Sequence, residues 1–226
     1  MLVLLIATVP WRRPAFRRLL ASLPLQTRRP DLVYLYLDGY GEAVSAPCAL
    51  PTRERRTAVP GGPGGRWSVI ADLAPADVVV NLDDDVVPPA GLIAALAGAV
   101  EPGRAAAATG ITVTGKKAPA EVDVDEPLIC AGGATLAFCA GDLFGLVDMA
   151  KLVGGGVLGD CGDDEAMVSA CLWKNGVTIK HVRIDGLGVA ADTQAQSQTR
   201  RRLAVREPFW AQRQRIAAAT GWPWPL

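Results

Sequence analysis

Short apolar runs alternate with segments of helical periodicity along the first half of the chain. Residues 2–9 are apolar at almost every position and residues 77–82 at most of them, as expected of strands buried on both faces of a sheet. The pattern predicts strands over 2–9, 31–37, 77–82 and 105–113, and helices over 14–23, 65–73 and 89–100. This alternation predicts an α/β fold with a mostly parallel sheet covered by helices on both faces.

The second half of the chain is less regular. A strand-like run over 128–138 contains Gly132 and Gly133, and further elements are a helix over 142–152, a helix from 163 to Asn175, a strand over 177–184 and a helix over 206–220. Residues 39–64 show little periodicity and predict a long loop. We expect a single domain over residues 1–190 and a C-terminal helical extension, 191–226, packed on it.

Composition narrows the classes of protein. Lys and Arg equal Asp and Glu at 23 each among 226 residues, so no bulk charge indicates a nucleic-acid partner. No apolar stretch has the length of a membrane span, and five scattered cysteines indicate neither disulfides nor zinc. A cytoplasmic protein is expected. The run 200–202, with Trp210, Trp222 and Trp224, leaves peripheral contact with an anionic membrane as the alternative to a solvated face.

The main chemical signal is a run of three carboxylates, Asp83, Asp84 and Asp85, directly after an apolar strand. Like charges gathered at one strand end repel each other unless a cation neutralises them. Oxygen-only ligands favour Mn²⁺ or Mg²⁺, which typically bridge one or two carboxylates to substrate phosphates. An acidic, solvated turn is the structural alternative.

This strand and its triple Asp resemble the DxD motif of GT-A-fold glycosyltransferases, in particular the family 2-like, inverting members. Residues 6–12, the segment 22–26 and the 62–66 element Gly-Pro-Gly-Gly-Arg resemble other parts of that family in the same order. The resemblance implies a Rossmann-like GT-A domain and a metal held chiefly by Asp85, with Asp83 nearer the ribose or bridging. It implies that Asp38 contacts the nucleobase and Arg66 the diphosphate. The residues expected to contact the donor are Thr8, Pro10, Arg12, Asp38, Arg66, Asp83, Asp84 and Gly133.

A second acidic group, Asp163, Asp164 and Glu165, opens the predicted helix that ends at Gly176. It resembles the acidic helix start of inverting members, whose carboxylate takes the proton of the acceptor hydroxyl. Asp164 is the first choice as general base, and Glu165 or Asp163 are the substitutes; ordinary N-capping is the alternative. His181, the only histidine, is either a further metal ligand or a structural residue.

The predicted activity is therefore metal-dependent transfer of a sugar from a UDP- or GDP-sugar to a glycan or other hydroxyl acceptor, with inversion. A nucleotidyltransferase would combine the same sheet with acidic metal ligands, but it usually places a Gly-rich basic loop where this chain has Pro10 to Pro14. A non-catalytic carbohydrate- or nucleotide-binding protein on the same fold is the other alternative. The specificity for nucleotide, sugar and acceptor has no readable signature in the sequence.

Overall fold

The computed structural model describes residues 1–41, 49–58, 61–118, 126–132, 135–152, 164–189 and 209–224. The strands are β1 (Leu2–Thr8), β2 (Leu32–Leu37), β3 (Thr52–Arg56), β4 (Val78–Asp83), β5 (Val86–Val87), β6 (Arg104–Ala107), β7 (Gly110–Thr112), β8 (Lys117–Ala118), β9 (Pro127–Ala131), β10 (Thr135–Cys139), β11 (Thr178–His181) and β12 (Gly188–Val189). The helices are α1 (Arg13–Ser22), α2 (Leu92–Ala99), α3 (Leu146–Leu152), α4 (Asp164–Lys174) and α5 (Phe209–Thr220). Short 3₁₀ segments cover Pro10–Arg12, Leu23–Leu25, Pro63–Asp72 and Ala140–Leu143.

Ten of the described strands form one mixed sheet in the order β3-β2-β1-β4-β10-β6-β11-β9-β7-β8. β1 pairs in parallel with β2 and β4, and β6 pairs in parallel with β11, whereas β10 runs antiparallel between β4 and β6. Short β5 and β12 pair separately. The predicted α/β fold is confirmed with a mixed sheet, in which the neighbouring strands β3, β2, β1 and β4 are parallel, and the carboxyl ends of β1, β2 and β4 lie at one edge.

Helices cover both faces of this sheet. Phe16 and Leu20 of α1 and Leu96 of α2 pack on the face formed by Leu4, Ile6, Val80 and Leu82. Met149 of α3, Val168 of α4 and Ile216 of α5 belong to the core on the opposite face, with Val79 and Phe138. Side chains alternate between the two faces along each strand, which explains why the central strands are apolar at consecutive positions.

Several local predictions differ from the structure. The strand expected over 128–138 is two strands, β9 and β10, and the helix expected over 142–152 is a 3₁₀ segment followed by α3. The expected loop over 39–64 contains β3, whose sequence Thr-Arg-Glu-Arg-Arg has no apolar residue because it is a largely exposed edge strand. The strand expected over 105–113 is two strands, and Gly110 permits a close crossing, since a Cβ there would lie 2.4 Å from the carbonyl oxygen of Cys130. The segment expected as a helix over 65–73 is a 3₁₀ helix, Pro63–Asp72.

The C-terminal helix α5 packs on α4, and Trp222 donates from Nε1 to the carbonyl oxygen of Ile129 at 3.2 Å. Trp222 is 2% exposed, and its ring packs at a tilt against that of Trp224. It is therefore a core residue, which argues against the alternative that Trp222 contacts a membrane. Residues 200–202 and the expected boundary at residue 190 lie outside the described residues, and the boundary stays a prediction. None of the described helices has the length and apolar character needed to cross a bilayer.

Candidate active site

The carboxyl ends of the parallel strands bring the predicted donor-side residues to one edge of the sheet. Ala7 of β1 is in register with Asp83 of β4, and Thr8 is in register with Leu37, the residue before Asp38. Ligands of open α/β sheets bind at this edge. The fold therefore gathers Thr8, Asp38 and the Asp83–Asp85 run, which are far apart in the sequence.

Arg12 holds two of the three consecutive carboxylates. Its Nη1 lies 2.6 Å from Oδ1 of Asp84 and its Nη2 lies 2.8 Å from Oδ2 of Asp85. The 3₁₀ segment Pro10–Arg12, with proline in its first position, directs the chain after β1 toward the end of β4. Burial raises the pKa of Asp84 to about 7, although Arg12 and a hydrogen bond from Thr8 act in the opposite direction.

Arg66 joins the end of β4 to the start of α4. Its Nη1 donates to Oδ1 of Asp83 at 2.9 Å and lies 3.4 Å from Oδ1 of Asn81, while its Nε and Nη2 lie 3.0 and 2.9 Å from Oδ2 of Asp164. Trp67 Nε1 donates to the same Asp164 oxygen at 2.7 Å. Burial alone lowers the pKa of Arg66, but Asp164 and Asp83 outweigh it and raise that pKa.

This position differs from the one expected of a phosphate clamp. The Arg66 residue is 3% exposed, and its guanidinium is engaged by protein carboxylates. Asn81 and Asp83 follow Val79 at alternating positions, so their side chains lie on the α4 face of the sheet, where Arg66 and Asp164 also lie. Asn81 and Trp67 were not predicted as site residues, and their only sequence signal is adjacency to the triple Asp and to Arg66.

Asp38 organises the loop that leads to Arg66. Its Oδ1 accepts hydrogen bonds from Thr57 Oγ1 at 2.9 Å and from the backbone N–H of Gly61 at 2.8 Å, and its Oδ2 accepts from the N–H of Gly62 at 3.0 Å. Asp38 is 3% exposed. The structure thus places Asp38 at the predicted edge, with both of its carboxylate oxygens engaged by Thr57, Gly61 and Gly62.

The charges at the sheet edge do not balance within the cluster. Two guanidinium groups face four carboxylates, namely Arg12 and Arg66 against Asp83, Asp84, Asp85 and Asp164. With all four carboxylates ionised, four negative and two positive charges leave a formal charge of −2, which one divalent cation would neutralise. Burial raises the pKa of Asp83, and Arg66 offsets that effect only in part, as expected for a carboxylate with too little compensating charge.

The carboxylate oxygens at the end of β4 fit Mn²⁺ or Mg²⁺ that is held jointly by the protein and by substrate phosphates. Among the described residues, no three His, Cys, Asp or Glu side chains are arranged as a metal site made by protein alone. These cations, however, typically use one or two carboxylates plus substrate phosphates. The hydrogen bonds between described residues engage Oδ1 of Asp83 and Oδ2 of Asp85, which leaves each residue a second carboxylate oxygen as a potential ligand.

Other predicted residues are placed less favourably or are not described. His181 ends β11, which is separated from β4 by β6 and β10, so the two backbones lie three strand spacings, about 14 Å, apart. The structure therefore does not bring His181 together with Asp83 and Asp85. Glu165 is half-buried in the first turn of α4, next to Asp164. Gly133 and Asp163 lie outside the described residues.

Comparison with solved structures shows what the fold resembles. The mannosyltransferase PcManGT from Pyrobaculum calidifontis, in complex with GDP-Man and Mn²⁺, is similar over 98% of this chain and 71% of its own, with a TM-score of 0.57 at 13% identity. The fold is therefore GT-A-like. TarS of S. aureus resembles it over 96% of this chain, with a TM-score of 0.56 at 14% identity. A shorter form of TarS, residues 1–349, in complex with UDP-GlcNAc matches with a TM-score of 0.58 at 12% identity.

These likenesses have defined limits. The chain spans 42% of the longer TarS chain and 70% of the UDP-GlcNAc-bound form. No family model matches the sequence, and no curated protein matches it. At 12–14% identity, the GT-A-like fold is what the chain shares with these proteins.

Proposed function

We propose that this protein is a metal-dependent glycosyltransferase of the hexosyltransferase class. It would move a sugar from a UDP- or GDP-sugar to a hydroxyl acceptor, with inversion, in glycan or polysaccharide synthesis. The observation that carries the proposal is the excess of two negative charges at the end of β4, on a fold shared with a GDP-Man-bound mannosyltransferase and UDP-GlcNAc-bound TarS. A divalent cation would supply positive charge to this carboxylate cluster, and phosphate oxygens of the donor would supply the ligands that the protein alone does not.

Donor binding in this proposal uses the Asp83–Asp85 run. Asp85 and Asp83 would hold the cation, and Arg12, which is one-fifth exposed at its side chain, would keep Asp84 and Asp85 oriented toward the donor. The cation held there would stabilise the negative charge that develops on the departing nucleoside diphosphate. Thr8 and Pro10 would border the donor from the turn after β1, and Gly133 remains a proposed neighbour of the donor sugar.

Accessibility favours Glu165 over Asp164 as the general base. One oxygen of Asp164 accepts from Arg66 Nε, Arg66 Nη2 and Trp67 Nε1, and its side chain is 5% exposed. A base must come within hydrogen-bond reach of the acceptor hydroxyl, and burial together with these three contacts makes that approach less favourable for Asp164. Glu165 lies beside it and is half-buried, so we assign Asp164 to fixing the start of α4 and Glu165 to proton removal, with Asp163 as the remaining candidate.

Calorimetric titration tests donor binding. UDP-GlcNAc, UDP-glucose and GDP-mannose are titrated with and without Mn²⁺, and at least one should bind more tightly with the cation. Asp85→Asn should abolish this metal-dependent gain, while Asp148→Asn, at an exposed carboxylate of α3, should leave it unchanged. Absence of nucleotide-sugar binding would favour a scaffold, and productive binding of a nucleoside triphosphate with a sugar phosphate would favour a nucleotidyltransferase.

Kinetics test the base assignment once an acceptor panel has identified a transfer reaction. Glu165→Gln should lower kcat by roughly 100-fold or more without changing donor affinity, since general bases typically contribute that much. Glu101→Gln, at an exposed position, is the matched control and should turn over normally. Product NMR should show the inverted anomer. Normal turnover by Glu165→Gln, or retained configuration, would contradict the assignment.

A further inference from the structure

Positive charge is concentrated in the first 30 residues. This segment contains six arginines and no acidic residue, although the whole chain has a net charge of zero. Arg12 is engaged by Asp84 and Asp85, and Arg13 lies over the ring of Tyr40. The remaining four, Arg17, Arg18, Arg28 and Arg29, are exposed, and no acidic side chain among the described residues lies within ion-pair distance of them.

These four arginines lie on or beside the helices α1 and α2, which cover the same face of the sheet. Arg17 and Arg18 lie on the outer side of α1, because its other side buries Phe16 and Leu19 against the sheet. Arg28 and Arg29 follow Gln26 and Thr27, which fix their loop at the start of α2. The Gln26 Nε2 donates to the carbonyl oxygen of Pro89 at 3.0 Å, its Oε1 accepts from Ile93 N at 3.3 Å, and Thr27 N donates to Ala90 O at 2.8 Å.

Apolar groups accompany the charge. Leu25, the last residue of the 3₁₀ segment Leu23–Leu25, is 73% exposed and lies between the two arginine pairs in the sequence. The adjoining α2 has no polar side chain, and its positions that are not buried are small residues, Ala94, Ala95, Gly98 and Ala99. We call Arg17, Arg18, Leu25, Arg28 and Arg29, with the outer side of α2, the basic surface.

We propose that the basic surface docks this protein on an anionic lipid bilayer. Guanidinium groups bind the phosphates of lipid headgroups bidentately, and the exposed Leu25 can enter the boundary between headgroups and acyl chains. Because α2 has no charged or polar side chain, it can lie against a membrane surface without removing water from such groups. A nucleic acid would use the arginines but would have no use for Leu25 or α2, so the combination favours a bilayer. This surface differs from the 200–202 run considered above.

Vesicle cosedimentation of the full chain tests the proposal. The vesicles are phosphatidylcholine alone or phosphatidylcholine with about 30% phosphatidylglycerol, at low and at high salt. The protein should bind only the anionic vesicles and should leave them at high salt. The quadruple variant Arg17→Gln, Arg18→Gln, Arg28→Gln, Arg29→Gln should partition at least about 100-fold more weakly, because each basic residue near an anionic leaflet contributes about fivefold.

Matched variants make the result specific. Arg53→Gln with Arg55→Gln removes exposed charge from the edge strand β3, elsewhere on the molecule, and should reduce binding less than Arg17→Gln with Arg18→Gln. Leu25→Ser should weaken binding at constant charge. Thermal unfolding checks that every variant is folded, as expected for exposed positions. Three results would each overturn the proposal: no binding by the wild type, equal losses in the β3 control, or tighter binding to a duplex DNA oligonucleotide than to vesicles.

Discussion

Replacement of Arg66 by Met should destabilise the protein strongly. The substitution keeps an unbranched apolar stem but removes the guanidinium that holds Asp83 at 2.9 Å and Asp164 at 2.9 Å. Asp164, with a side chain 5% exposed, would remain in place with Trp67 as its surviving partner. Removing one partner of a buried ion pair costs about 3–5 kcal/mol, so the free energy of unfolding should fall by about that amount. For a chain of this size the melting temperature should fall by about 6–20 °C.

Urea unfolding of metal-free protein, followed by tryptophan fluorescence, measures this loss. Arg55→Met is the matched control, because Arg55 is exposed and makes one long contact, 3.4 Å, with Ser68 O; its free energy of unfolding should change by less than about 0.5 kcal/mol. In the double variant Arg66→Met, Asp164→Asn the two losses should not add, since the second change removes the unpaired charge left by the first. A loss below about 1 kcal/mol for Arg66→Met, accompanied by weaker donor binding, would refute the structural role and support the predicted contact of Arg66 with the diphosphate.

Two further predictions concern packing and pH. Gly65→Ala should lower the free energy of unfolding by about 1–3 kcal/mol, because the added Cβ would lie 2.1 Å from Tyr36 Oη. The control Gly98→Ala adds a Cβ with nothing within 4 Å and should be neutral or stabilising. Equal melting temperatures of the two variants in thermal unfolding would contradict this prediction. The folded-state pKa of Asp84, about 7, lies above its unfolded value, so the folded state binds the extra proton and stability is lost as pH rises toward 7. Between about pH 5 and pH 7, metal-free wild type should lose about 2 kcal/mol relative to Asp84→Asn, and parallel pH curves for the two proteins would rule out that assignment.

The sequence by itself determined the framework of the donor side. A strand that is apolar at consecutive positions has to be buried on both faces, which is why β1, β2 and β4, and the helix α1 between β1 and β2, were predictable. The position of Asp83–Asp85 followed directly, because an acidic run after such a strand must lie at its carboxyl end. The helix α4 was predictable as well, with its start at the acidic residues and its end just before Gly176.

Only the tertiary structure decided which charges meet. β3 has no apolar signal because an edge strand exposes both sides, and its pairing with β2 depends on backbone hydrogen bonds that any residue type can make. Arg66 and Asp164 are 98 residues apart, and their buried contact exists because the sheet brings the loop before β4 and the start of α4 to the same face. From residue type alone, Arg66 and Asp164 could be predicted as charged residues of the site. Whether an arginine points to a diphosphate or to a carboxylate depends on the packing around it, which local sequence does not contain.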